Sequence, residues 1–321
     1  MAENYGNELQ YAVGVGSGYG VYRSAKQILK KPVGRFMKSQ LCNTPKDLND
    51  TFWSAANKAY ENSNLKDVIS CEIKKNKKSI KTIFGEIKIP EIKTRKRAEI
   101  IDINPSNAEK ITNDVITKLG FDKNPILNNR LYKIIFGDKK AELAEHIKQI
   151  ANGENACHVR PTGQVLVNKE KMAFSTFHEL GHAMNATGTG FGKFLSKSRG
   201  LFALGAPLVL GIGLLRNKPK ETTEQKSFKN KTYDFIKENC GILAGLCFVP
   251  TILEEGMASI NGAKLAKPYL DKNVFKKLNV MNAKAWSSYV LGAIIAGVSV
   301  KAGVIIRDLI VHDKTPRIIT E

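Results

Sequence analysis

The distribution of apolar residues changes midway along the chain. Three mostly apolar runs mark the second half, GLFALGAPLVLGIGLL at 200–215, CGILAGLCFVPTIL at 240–253 and WSSYVLGAIIAGVSV at 286–300. Each run is shorter than the roughly 20 residues a membrane-crossing helix needs. Arg199, Arg216, Lys218 and Lys301 flank them and can extend their reach by snorkelling. Small residues four apart, Gly292 with Ala296 and Ala293 with Gly297, suit close helix packing in lipid. These features predict membrane-associated helices, with 200–253 forming an apolar hairpin. The competing reading, buried core helices of a soluble domain, requires their apolar faces to be covered.

The first half carries amphipathic signals instead. The spacing predicts a short helix over 48–60. It predicts another from a Ser106 cap, with Glu109 three residues on, to a stop at Gly120, and a third from Asp138 to near Gly153. Gln164 to Val167 reads as a strand ended by Asn168, which is placed to cap the following helix. The Lys-rich stretch from Cys71 to Ile100 reads as a solvated basic linker or edge strand, with a patch for anionic lipid as its functional alternative. Gly14, Gly16, Gly18 and Gly20 do not have dinucleotide-binding spacing and read as a flexible or membrane-apposed segment. The fold class expected is mainly α with a small β element. It divides into a basic region (1–104), a region carrying the HELGH helix (105–199), the apolar hairpin (200–253) and a carboxy-terminal helical region (254–321).

Composition narrows the partners. With 50 Lys and Arg against 30 Asp and Glu, the formal charge of +20 favours acidic surfaces, anionic lipid headgroups among them. No nucleic-acid module is present, and aromatic residues, at 8%, supply few stacking platforms, so nucleic acid is not an expected partner. Five scattered cysteines without a CxxC pair point to reduced thiols, and the amino terminus lacks the pattern of a secretory signal.

The chemistry concentrates in KEKMAFSTFHELGHAMNATGTGFG, residues 169–192. On a helix, residues four apart share a face, so His178 and His182 aim their imidazoles at one point, with Glu179 beside them. This is the donor set of a zinc hydrolase: two neutral imidazoles hold the ion, and the glutamate takes a proton from the attacking water. Gly181 in mid-helix costs about 1 kcal/mol relative to alanine, which implies a packing or access reason. A catalytic zinc takes three protein ligands, yet no histidine follows His182 until His312. A downstream acid is the remaining choice, and Glu254 and Glu255 are both candidates. Tyr233, Tyr269, His158 and His312 could donate to an oxyanion, although structural roles are expected for each.

An HELGH helix, two apolar segments and then Glu255-Gly256-Met257-Ala258-Ser259 resembles the integral-membrane gluzincin metallopeptidases, the group containing the CAAX prenyl protease and the bacterial stress-induced membrane protease. The resemblance covers roughly residues 155–265. It implies a zincin-like catalytic domain holding one Zn2+ per chain on His178, His182 and Glu255, with Glu179 as general base. It also implies a peptide or protein substrate, a multi-pass membrane location with the catalytic side toward the cytoplasm, and substrate added as an extra strand beside Gln164 to Val167. The family's second motif, Glu-x-x-Ala-Asp, has Ser259 in place of the aspartate that orients a ligand histidine, which leaves Asn185 as an alternative support. A catalytically silent zinc-binding membrane scaffold is the competing function.

Overall fold

A computed structural model describes residues 2–41, 44–66, 71–82, 85–94, 98–130, 133, 138–188, 190–217 and 227–311. The principal elements, in chain order, are α1 (Ala2–Leu41), α2 (Lys46–Glu61), β1 (Cys71–Thr82), β2 (Gly85–Thr94), β3 (Glu99–Asp102), α3 (Ala108–Lys118), α4 (Lys139–Ala151), β4 (Cys157–Val159) and β5 (Gln164–Val167). There follow α5 (Lys169–Met172), α6 (Ser175–Thr187), α7 (Phe191–Ala203), α8 (Gly205–Leu215), α9 (Phe228–Glu238), α10 (Cys240–Leu246), α11 (Val249–Ala266) and α12 (Lys272–Ile310). The chain is mainly helical with a small three-stranded sheet. It divides into two compact units: residues 38–196 with 255–285, and residues 1–37 with 197–254 and 286–321. These interleave the four sequential regions read along the chain.

The first unit is built on the sheet, in the order β3-β5-β4. β5 pairs in parallel with β3 and antiparallel with β4, and all four of its residues are buried. That explains why QVLV runs without alternation: a central strand covered on both faces has no polar side. α3 and α4 pack on it through Ile103, Val115, Ile147, Ile150 and Leu166, and α6 packs against β4 and β5. Buried Asn49 on α2 fixes the approach to α6, its Nδ2 donating to the Glu170 carbonyl (2.8 Å) and its Oδ1 accepting from Ala173 N (3.2 Å). The Lys-rich stretch forms an antiparallel pair, β1 with β2, whose register shifts between Lys74 and Lys78.

Several local expectations are corrected here. α3 starts at Ala108 with no side-chain cap, because Ser106 instead donates to Asn104 Oδ1 within the preceding turn. Asp138 does cap its helix, accepting from the amides of Lys140 and Ala141, and Gly120 and Gly153 both adopt positive φ at the helix ends. Asn168 caps only the single turn of α5; α6 begins separately at Ser175.

In the second unit the apolar runs become longer helices than their sequence limits indicate. Polar flanking residues continue the backbone hydrogen bonding on either side. Three helical stretches, Phe191–Leu215, Cys240–Ala266 and Lys272–Ile310, are long and apolar enough to cross a membrane. Only 22% of the most apolar window is buried in each of the first two, and 44% in the third. Leu201, Leu208, Ile242, Ile294 and Leu309 are among the exposed apolar side chains. A soluble domain with buried core helices would cover them, so the membrane-associated reading is the one that fits.

These helices meet at small residues. A Cβ at Gly297 would lie 2.5 Å from the Gly241 carbonyl oxygen, and the Ala293 carbonyl lies 3.4 Å from one at Gly245, whereas Gly292 faces open space. The Gly-rich amino-terminal segment is helical and lies within α1. Gly18 packs against Gly303 O (2.6 Å from its Cβ position) and Gly14 against Val311, so glycine there permits backbone contact between α1 and α12. A buried charge cluster satisfies the end of α8. Lys237 Nζ donates to the carbonyls of Gly213 (3.0 Å) and Arg216 (2.7 Å) and pairs with Asp308 (2.6 Å). Arg216 pairs with Asp234, and Arg307 lies over the Tyr11 ring.

Candidate functional site

α6 and α11 bring the chemistry together. His178, Glu179, His182 and Glu255 are all buried. His178 Nε2 and His182 Nε2 lie 3.1 Å apart, and Glu255 Oε2 is 3.1 Å from the first and 3.2 Å from the second. Three ligand atoms on two helices therefore form a nearly equilateral triangle. The carboxylate of Glu179 belongs to the same cluster, its oxygen and the two imidazole nitrogens all within 4.8 Å of one another. Buried histidine and glutamate groups so arranged can hold a metal ion.

The approach of the two helices depends on glycine at two points. A Cβ at Gly181 would overlap the Ala258 carbonyl, and one at Gly262 would overlap the Phe177 carbonyl and come within 3.1 Å of His178 N. Gly181 thus has the packing role its helix cost implied. Gly262 has an equivalent role one turn beyond Ala258, without which α11 could not bring Glu255 to the histidines.

Ser259, one turn along α11 from Glu255, lies 3.0 Å from His178 Nδ1 through its hydroxyl. With Nδ1 donating to that oxygen, Nε2 keeps its lone pair for the cluster. A neutral hydroxyl therefore occupies the orienting position. Asn185 does something different: its Oδ1 accepts from Asn261 Nδ2 (2.8 Å), tying the end of α6 to α11. Glu254 pairs its carboxylate with Arg199.

Of the four side chains considered as oxyanion donors, for which structural roles were expected, Tyr233 lies under the Arg216 guanidinium in the apolar unit, His158 is on β4, Tyr269 follows α11, and His312 falls outside the described residues. The sequence reading missed His146 on α4. Burial lowers its pKa, and the negative charge of Glu179 acts in the opposite direction. It was missed because helical spacing within HELGH says nothing about a helix 30 residues upstream. Burial, with Glu179 adding to it, pushes the Cys157 thiol upward, so this cysteine stays protonated and inert.

β5 cannot accept a further strand, because β3 and β4 occupy both of its edges. The expectation of substrate pairing with Gln164 to Val167 fails for that reason. Among the described residues the open sheet edge beside α6 is the outer side of β4. Compared with known proteins, the chain matches no family model, no curated protein and no solved structure.

Proposed function

We propose that this protein is a membrane-associated, zinc-dependent endopeptidase. The observation that carries the reading is the triangle of His178 Nε2, His182 Nε2 and Glu255 Oε2, with edges of 3.1–3.2 Å. Donors bound to zinc at about 2.0–2.1 Å in tetrahedral geometry stand roughly 3.3 Å apart, so the triangle needs only slight expansion to fit that ion. The donor chemistry also agrees. Two imidazole lone pairs and a carboxylate converge in a buried space, an arrangement that repels itself unless a cation or proton occupies it. Three protein ligands leave a further position open, as a catalytic site requires.

When bound, zinc would supply Lewis acidity, polarising the scissile carbonyl and acidifying water. Glu179 is not needed as a ligand and is buried close to the histidines. It takes a proton from the attacking water and passes it to the leaving amine. Ser259 holds His178 in the ligating tautomer. A substrate peptide would pair with the open edge of β4, Cys157–Val159, one strand over from Gln164 to Val167. The three apolar helices support a membrane location and a substrate at or in the bilayer.

The test is a paired measurement on detergent-purified protein: zinc stoichiometry by elemental analysis, and hydrolysis of a peptide library by mass spectrometry. Wild type should hold one zinc per chain and cleave peptides. Glu179→Ala should hold the same zinc with hydrolysis lowered by at least a hundredfold, and Glu255→Gln should lose zinc. A zinc-loaded wild type that cleaves nothing would leave the silent-scaffold function standing; full activity in Glu179→Ala would overturn the base assignment.

A further inference from the structure

The apolar unit contains a cavity of about 550 Å3 that the peptidase chemistry does not use. It lies between α10 and α12, which touch through backbone at Gly241 and Gly297, and its walls include Gly245, Leu246, Ile294 and Val298. Its volume falls within the range of ligand pockets, roughly 300–1,000 Å3, and its apolar lining with few polar groups is the usual composition of one. The glycines account for the space: where Gly241 and Gly297 bring the backbones together, Gly245 leaves room that a larger side chain would fill. Its exposed apolar walls belong to helices long and apolar enough to cross a membrane, which in a bilayer would face lipid hydrocarbon.

The polar groups gather at one end. Glu238 and Lys301 line that end, and Lys301 Nζ donates to the Glu238 main-chain carbonyl (3.0 Å), which uses one of its three N–H groups. Among the described residues the Glu238 carboxylate makes no ion pair. A basic and an acidic residue thus both line the mouth of an apolar groove. Along α12 the lining runs from Val290 to Lys301, about 16 Å at 1.5 Å per residue. One leaflet contributes about 15 Å to a hydrocarbon core roughly 30 Å thick.

We propose that this groove binds one phosphatidylethanolamine molecule, with an acyl chain along Gly245, Ile294 and Val298, its phosphate on Lys301 and its ammonium on Glu238. The charge pair decides the headgroup. Phosphatidylglycerol has no cation for Glu238, and the quaternary amine of phosphatidylcholine cannot donate the hydrogen bond that the carboxylate accepts.

The experiment is native mass spectrometry of the full chain in detergent, titrated with an equimolar mixture of the three phospholipids carrying identical acyl chains. Wild type should retain one phosphatidylethanolamine in preference to the other two by about tenfold, the effect of one charge-assisted hydrogen bond. Glu238→Gln should equalise phosphatidylethanolamine and phosphatidylcholine, and Lys301→Gln should lower retention about tenfold. Gly245→Leu, which meets only ordinary contacts at its Cβ, should remove every adduct. Equal retention of the three lipids by wild type, or retention unchanged in Lys301→Gln, would overturn the proposal. Lys301→Gln changes an exposed side chain, so its retention remains decisive even where Gly245→Leu does not fold, and helical circular dichroism checks both.

Discussion

Gly262→Ala adds one methyl group at the point where α11 crosses α6, and the structure sets its cost. The new Cβ would stand 2.6 Å from the Phe177 carbonyl carbon, whereas ordinary contact begins at 3.4 Å. The obstacle is backbone, which cannot rotate away and whose oxygen lies nearer still, so the helices must part by at least about 0.8 Å. Metal–ligand distances tolerate about 0.2 Å. Glu255 is two helical turns from Gly262 and moves with α11, so its carboxylate leaves the triangle. Alanine's better helix propensity returns up to about 1 kcal/mol, against about 1–3 kcal/mol for overpacking. The net expectation is a small stability loss with zinc affinity lowered at least tenfold, measured by competition with a chromogenic chelator alongside thermal unfolding. Gly20→Ala is the control, since a Cβ there meets nothing within 4 Å; it should leave zinc binding unchanged. Wild-type zinc affinity in Gly262→Ala would refute the claim that this crossing positions Glu255.

Three further outcomes are expected. Ser259→Ala removes the hydroxyl 3.0 Å from His178 Nδ1 and should weaken zinc binding by 10–100-fold, while Ser259→Asp should tighten it because a carboxylate accepts more strongly; chelator competition measures both. Lys237→Met leaves Asp308 with Arg307 as its remaining partner and two main-chain carbonyls without this donor. A loss of about 1–3 kcal/mol is expected in denaturant unfolding. His146 has its pKa lowered by burial, so the unfolded chain takes up its proton first as pH falls below the ordinary 6.5. Stability present above that pH is lost on acidification. His146→Gln should therefore lose less stability than wild type between pH 7 and 5, as read by thermal unfolding at each pH.

Much of the site could be read from local periodicity. His178 and His182 fall on one face because a helix repeats every 3.6 residues, and Gly181 announced itself by its cost within that helix. Apolar content likewise located the three long helices, although not their ends, because a helix continues through polar residues as long as its backbone bonds are met. What periodicity does not carry is the partner of each face. Gly14 and Gly18 read as a flexible or membrane-apposed segment because nothing near them in sequence specifies the partners they meet at the end of α12 and just beyond it. Gln164 to Val167 was recognisable as a strand, but its two neighbours come from residues 99–102 and 157–159, and their arrangement decided which edge remains open.

Ser259 shows the same division most sharply. In sequence it is a departure from an acidic motif and reads as lost support; in space its hydroxyl reaches the ring nitrogen that such an acid would serve. The geometry is kept while the charge is not. A carboxylate at that position would raise the basicity of His178 and neutralise part of the ion's charge. A hydroxyl does neither, so a metal ion bound here would be held less tightly and left more positive. More positive charge acidifies bound water further. The two Ser259 variants therefore separate orientation from charge: alanine removes the orienting contact, whereas aspartate keeps an acceptor there and adds the charge.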